Sequence, residues 1–176
     1  MLIKEFEQVV RDCSHRIAMK TPERTFTYQE LNNSVNRLAH WILSQYRPIK
    51  TKSEGQTSAL LLQQGDNAVV AQMAVLKAQK VYVPFDATYP FKRLENMLDF
   101  FDIPMIITDN EHEKLADRLI ARIPREIPIL NMDRIPLQYP TGNPGLEPAD
   151  RLPAYILLTS GSSGTPRGVL QTRENL

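Results

Sequence analysis

An α/β fold is predicted, a mostly parallel sheet with helices on both faces, preceded by a helix and a β-hairpin, and three observations predict it. From residue 58 to residue 130 short apolar runs alternate with stretches of helical periodicity, in the order β-α-β-α-β. Strands separated by helices of this length argue for parallel pairing with right-handed crossovers. The stretch Ala68, Val69, Val70, Ala71, Met73, Ala74, Val75, Leu76 leaves a helix almost no polar face, so that helix belongs in the core.

Taken in order, Leu2, Phe6, Val9, Cys13 and Ile17 recur at helical spacing and predict a short amphipathic helix ending before Arg16. Arg16 to Lys20 and Thr25 to Tyr28 lean towards β structure and flank Thr21-Pro22-Glu23-Arg24, where proline at the second position favours a type I turn. Thr27, three residues before Glu30, has capping-box spacing and opens a helix with Leu31, Val35, Leu38, Ile42 and Tyr46 on one stripe. His40 and Trp41 on it read as packing and surface residues. Residues 47–56 form a polar connector with Pro48 and Gly55. A strand from Ser58 to Leu62 follows, then a helix capped by Asp66 and running to about Ala78.

Val81 to Pro84 is a strand ended by its proline, and Pro90 stands in the first turn of a helix carrying Leu94, Met97, Leu98 and Phe101. Met105 to Thr108, Glu111 to Ile123 and Ile127 to Leu130 complete the alternation as strand, helix and strand. From Asp133 to Pro153 five prolines and two glycines with little periodicity predict an irregular loop across the surface.

Composition narrows the function. The 176 residues suffice for one domain with a core, and 42% hydrophobic against 23% charged residues is ordinary globular composition. With 21 Lys+Arg against 20 Asp+Glu, no global field favours nucleic acid or a membrane surface, so binding must come from a local site. The basic residues are scattered without the aromatic interleaving that stacks bases, which argues against a nucleic-acid partner. Cys13 alone can form no intramolecular disulfide and no metal-ligand spacing. Lys4 and Glu5 break any apolar region of a secretory signal, and no apolar run reaches the ~18 residues of a membrane span. A cytoplasmic protein without a membrane partner is expected.

The chemistry concentrates in Ala154 to Leu170, AYILLTSGSSGTPRGVL, where three of the seven glycines fall between Gly161 and Gly168. Around them stand Thr159, Ser160, Ser162, Ser163 and Thr165, so the stretch offers hydroxyls and, where glycine lets the backbone turn inward, convergent amide N–H groups. Such a surface suits an anion. Tyr155 to Leu158 leads in and Val169-Leu170 leads out, which makes the loop the tip between two strands. It is not the G-x-x-x-x-G-K-[ST] loop, because the sixth residue from Gly161 is Pro166, and no G-x-G-x-x-G opens a helix.

Position by position, TSGSSGTPRG resembles the phosphate-binding loop of the AMP-forming adenylating enzymes: acyl-CoA synthetases, luciferases and the adenylation domains of nonribosomal peptide synthetases. Two further segments agree. TFTYQELNNSVNRLAHWI resembles the family's T-Y-x-E-L region, and LKAQKVYVPFDATYPFKRL its L-K-A-G-x-x-Y-V-P-x-D-x-x-Y-P region, with Gln79 in place of the usual glycine and Ala87 where proline is common. The first two segments are nearest the amino-acid-adenylating branch.

The resemblance implies that residues 1–176 are the N-terminal, incomplete part of an adenylation domain, with its phosphate loop at 159–168. The family activates a carboxylic acid with ATP and Mg²⁺ as an acyl-adenylate, then passes it to the phosphopantetheine thiol of a carrier protein. Downstream adenylation subdomains and that carrier are therefore the implied partners. Thr159, Ser160, Gly161, Ser162, Ser163, Gly164, Thr165, Arg167 and Gly168 are the implied nucleotide-binding residues, Arg167 standing where the family has lysine. No catalytic residue and no metal ligand is assignable within 1–176, since the family's pocket, its Mg²⁺-binding glutamate and its C-terminal lysine lie downstream. Two alternatives stay open: a truncated remnant that only binds nucleotide or a partner, and a piece of an acyl-CoA ligase.

Other candidates carry less. Glu111-His112-Glu113 reads as a solvated helix start rather than a metal corner, because neighbours on a helix point different ways. His15 and His40 are isolated. Asp99 and Asp102 read as helix-end caps, and Asp86 has no partner in the sequence to make an acidic site.

Overall fold

The computed structural model describes residues 2–22, 24–46, 57–101, 103–146, 152–159 and 167–176. The expected connector at 47–56, Glu23 of the expected turn and Asp102 lie outside them. Helix α1 (Leu2–Cys13) leads into the antiparallel hairpin β1 (Ile17–Lys20) and β2 (Thr25–Thr27). Then come α2 (Tyr28–Gln45), β3 (Thr57–Leu62), α3 (Asp66–Lys77), β4 (Val81–Asp86), α4 (Phe91–Phe101), β5 (Ile106–Thr108), α5 (Glu113–Ile120) and β6 (Ile129–Asn131). Strands β7 (Pro153–Thr159) and β8 (Arg167–Thr172) close the chain.

Six strands form one sheet in the order β6-β5-β3-β4-β7-β8, parallel throughout except for β8, which runs antiparallel to β7. Alternation along each strand sorts the core into two layers. Leu60, Leu62, Tyr82 and Ile107 face α1, α2 and α3, whereas Ala59, Leu61, Val83, Phe85 and Ile106 face α4 and α5. The predicted helices on both faces are therefore present. β3 exits into α3 on one face and β4 exits into α4 on the other, so the chain changes faces between these neighbouring strands.

Thr27 caps α2 as its spacing requires. Its Oγ1 accepts from Glu30 N at 3.2 Å, while its own N–H donates to Glu30 Oε2 at 2.8 Å. The Thr27 bonds hold the Glu30 carboxyl below its ordinary range.

Several expectations are corrected. On α1 Phe6 is buried as expected, but the next turn buries Val10 in place of Val9, which is 36% exposed, while Ile17 lies in β1 within the predicted Arg16 to Lys20 segment. Asp66 does not cap α3. Gly65 is the N-cap with no side-chain cap bond, and Asp66 sits in the first turn with its carboxylate 3.7 Å from Arg24 Nε.

Pro84 does not end β4. A proline lacks one donor on one side only, and β4 keeps its pairs to β3 as far as Leu62↔Asp86, while its register with β7 is the single pair Tyr82↔Tyr155. Helix α5 is shorter than read at both ends, and His112 is not solvated. It is 7% exposed, with Nδ1 2.6 Å from Asp109 Oδ1, and that carboxylate also accepts the His112 N–H at 3.0 Å.

Up to residue 146, the stretch after β6 makes more fixed contacts than its composition suggested. It opens with a 3-10 turn, Met132–Arg134, and then runs along α2 as a strap, since β6 and β7 lie on opposite sides of the sheet and the chain must cross the helical layer to connect them. Residues 36, 40 and 44 of α2, one turn apart, receive it. Asn36 Nδ2 donates to Thr141 O at 2.7 Å, His40 Nε2 lies 3.0 Å from Gly142 O, and Ser44 Oγ lies 2.8 Å from Tyr139 OH. Trp41 stacks on Tyr139 at 6.3 Å.

Two phenols sit in this layer. Burial pushes Tyr46 up to about 12 against the opposing bond from Ser58, and burial together with the neighbouring Tyr155 pushes Tyr82 up to about 12. Their folded values exceed the unfolded value of about 10. Their contribution is therefore complete below pH ~10 and is lost as pH rises towards about 12. Urea unfolding across this range should show stability falling, with tyrosinate absorbance lagging that of a denatured control. A flat stability profile would contradict the burial of both hydroxyls.

Candidate nucleotide-binding site

The site is built on the β7–β8 hairpin. β-Forming Tyr155 to Leu158 makes β7, whose Ile156 and Leu158 pack on the α4–α5 layer while Tyr155 packs on the opposite one and stacks on Tyr82 at 5.2 Å. Across to β8 the register is Tyr155↔Gln171, Ile156↔Leu170, Leu157↔Val169, Leu158↔Gly168 and Thr159↔Arg167. The structure thus brings Thr159, Arg167 and Gly168 together at the mouth of the hairpin as backbone partners. Ser160, Gly161, Ser162, Ser163, Gly164 and Thr165 join the two strands and lie outside the described residues, as do the side chains of Thr159 and Arg167.

Register also fixes which end of the sheet carries the loop. From the Tyr82↔Tyr155 pair, four residues onward along two parallel strands bring Asp86 level with Thr159, each the last residue of its strand. The Thr159–Arg167 backbone pair therefore stands at the C-terminal edge of the sheet, on the side of β4. There the Asp86 Oδ1 accepts from Thr88 N at 2.9 Å and Thr88 Oγ1 at 2.7 Å, bonds that hold its carboxyl below the usual range, with a smaller contribution from Arg93. The Arg93 guanidinium lies 3.9 Å over the Tyr89 ring. Asp86 caps its own turn and does not join Asp99, which lies on α4.

Gly168 has a packing duty that its place in the motif did not reveal. A Cβ there would meet Ile156 Cγ2 at 3.2 Å, Phe101 Cε1 at 3.5 Å and Phe100 Cε1 at 3.8 Å. The tight contact is with Ile156 on the paired strand, while the aromatic end of α4 lies at ordinary van der Waals distance. Gly168→Val should lower unfolding free energy by about 1–3 kcal/mol through overpacking, measured by urea denaturation, with Gly168→Ala costing less. An unchanged midpoint would mean that the Ile156 side chain moves aside freely.

Sequence reasoning missed one cluster altogether. Lys77, on the last turn of α3, has a side chain 1% exposed; its Nζ donates to Asn32 Oδ1 and Asn36 Oδ1 at 2.7 Å and to Asn143 Oδ1 at 2.9 Å, and forms an ion pair with Glu7 Oε1 at 2.9 Å. Burial lowers its pKa and Glu7 opposes the shift. The signal was the unbroken apolar run around it, which condemns any lysine in that helix to burial. Among the described residues no three His, Cys, Asp or Glu side chains come close enough to hold a metal ion, and no helix is long and apolar enough to cross a membrane.

The site's frame is thus an open, mostly parallel α/β sheet whose β7–β8 hairpin carries the ends of a glycine- and hydroxyl-rich sequence. The profile of the AMP-binding enzyme family matches residues 6–176, and the chain belongs to that family.

Among relatives, it is 36% identical over 157 residues to phosphinothricin tripeptide synthetase PhsC of Streptomyces viridochromogenes, covering 87% of this chain and 14% of that protein. It is 29% identical over 168 residues to N-(5-amino-5-carboxypentanoyl)-L-cysteinyl-D-valine synthase of Amycolatopsis lactamdurans, covering 93% of this chain and 4% of the synthase. The chain therefore spans a small part of the curated relatives it matches. Among solved structures, a variant of the nonribosomal peptide synthetase FmoA3 with bound α-methyl-L-serine-AMP superposes with a TM-score of 0.80 at 23% identity over 98% of this chain and 18% of that one. ATP-bound MatB from Rhodopseudomonas palustris gives 0.81 at 19% identity, over 99% and 35%. At these identities the likeness shows the fold.

Proposed function

We propose that the chain is the phosphate-loop portion of an AMP-forming adenylation domain that activates an amino acid with ATP and transfers it to the phosphopantetheine thiol of a carrier protein. The observation carrying this reading is the T-S-G-S-S-G-T-P-R-G sequence spanning the mouth of a hairpin whose strands pair Thr159 with Arg167 at the C-terminal edge of the sheet. Amide N–H groups and hydroxyls of the loop would surround the nucleotide phosphates and Arg167 would neutralise them, so this part contributes charge compensation and placement. Peptide synthetases among the relatives favour an amino acid over other carboxylic acids. Mg²⁺ would arrive complexed to ATP, and the described residues offer it no ligand set.

The test has two arms on the purified 176-residue chain. Titration with ATP followed by amide resonances should shift Leu157, Leu158, Gly168 and Val169 while leaving β5 and β6 unmoved. Amino-acid-dependent exchange of labelled pyrophosphate into ATP should stay at the level of a boiled control, because in-line attack needs both reactants held. Shifts confined to another part of the sheet, or none, would overturn the nucleotide assignment. Exchange well above the control would mean that these residues hold a complete active site.

A further inference from the structure

We propose that Arg173 is a positioning residue for the phosphate loop, clamping the open end of the hairpin to the C-terminal turn of α3. The proposal rests on the nucleotide reading above and extends it to the opposite end of the same two strands. Arg173 follows β8 directly, and its N–H donates to Leu152 O at 3.1 Å, which joins the end of β8 to the start of β7. Its guanidinium then reaches out of the hairpin: NH1 donates to Leu76 O at 2.6 Å and NH2 to Lys80 O at 2.9 Å. One residue thus ties three segments together.

The acceptors are available because of how α3 ends. Gln79 has φ of 56°, Gln79 N–H donates to Leu76 O at 3.0 Å and Lys80 N–H to Val75 O at 2.9 Å, a Schellman turn that halts the helix and aims its last carbonyls at β8. A cation at a helix C-terminus is favoured by the helix dipole as well as by these bonds.

Such an anchor matters because β7 is registered to β4 by the single pair Tyr82↔Tyr155, against six pairs between β4 and β3, and β8 is the edge of the sheet among the described residues. Leu157, Val169, Leu170 and Phe100 around it are 40–56% exposed, so the hairpin's apolar packing comes mainly from Ala154, Tyr155, Ile156 and Leu158 of β7 and little from β8. The clamp then fixes the hairpin's height relative to β4, and with it the backbone position of Thr159. The seven residues of β7 place Thr159 about 20 Å from Arg173.

Backbone hydrogen exchange of the whole chain tests this without nucleotide. Arg173→Met should accelerate exchange of the Ile156, Leu158 and Val169 amides by about tenfold relative to wild type while β3 and β5 change far less. Arg173→Lys, which can reach one carbonyl, should recover part of the protection. Leu119→Ala, which opens a cavity under α5, should destabilise the chain without selective loss in the hairpin. The ATP titration repeated on Arg173→Met should show weaker affinity. Hairpin protection unchanged in Arg173→Met, or the same hairpin loss in Leu119→Ala, would overturn the clamp. Failure of the wild-type chain to bind ATP would sink the nucleotide reading, while the exchange result would still decide whether the clamp exists.

Discussion

Replacing Lys77 with methionine is expected to lower unfolding free energy by about 3–5 kcal/mol, the cost of removing one partner from a buried ionic network. Methionine matches the length of the stem but supplies no donor. Asn36, fully buried, and Asn32, 6% exposed, would each keep an amide oxygen aimed at an apolar group, and Glu7 would lose its 2.9 Å partner. The network also ties α1, α2 and α3 to the strap through Asn143, so its loss loosens four segments together. Glu7→Gln should cost less, because Glu7 is 22% exposed and water can replace part of what it gives. Urea denaturation of both variants is the measurement. A loss below about 1 kcal/mol for Lys77→Met would show that the freed oxygens are satisfied by water, and the polar core would then be incidental to stability.

Arg167→Ala should weaken ATP binding by about 10- to 100-fold, and Arg167→Lys by less than about tenfold. Both expectations rest on the proposed nucleotide site. Guanidinium grips a phosphate through a planar fork and ammonium acts as a point charge, so lysine preserves attraction while changing geometry, whereas alanine removes both. Backbone pairing of Arg167 with Thr159 keeps position 167 at the mouth of the loop in every variant. Affinity measured by equilibrium dialysis at two salt concentrations would separate the charge from the fork, since screening acts on the former. Identical affinities for the arginine and alanine forms would remove Arg167 from the site.

A smaller effect follows from Gln79. The left-handed backbone it adopts costs a side-chain-bearing residue about 1–2 kcal/mol that glycine does not pay. Gln79→Gly should raise stability by about 1 kcal/mol in urea denaturation, the greater entropy of glycine in the unfolded chain offsetting the remainder. No gain would mean that the glutamine side chain makes contacts worth as much as the strain.

Much of this could be read from the residues alone. Short apolar runs located the strands and periodicity the helices, because a strand covered on both faces is apolar throughout whereas a half-buried helix repeats every third or fourth residue. The Thr27–Glu30 capping box, the apolar α3 and the hairpin around the loop are local features, and each was legible because its cause lies within a few residues. Even the odd glutamine at position 79 was visible as a departure from a glycine, although its reason, a positive φ closing α3, was not.

What only the tertiary structure decided depends on partners far apart in the chain. The sheet order, with β4 between β3 and β7, follows from which helix covers which face. The apolar run of α3 marks Lys77 for burial, but its partner Asn143, 66 residues away, is supplied only by the folded strap. His112 reads as solvated until Asp109 and the layer around α5 enclose it. Gly168 reads as part of a loop until α4 lays Phe100 and Phe101 against it. The sequence by itself determined the elements and the family, because those follow from short-range chemistry. The tie between the open end of the β7–β8 hairpin and α3 was decided by long-range bonds such as Arg173 to Leu76 and Lys80, because burial and hydrogen bonding between distant segments exist only once the sheet has formed.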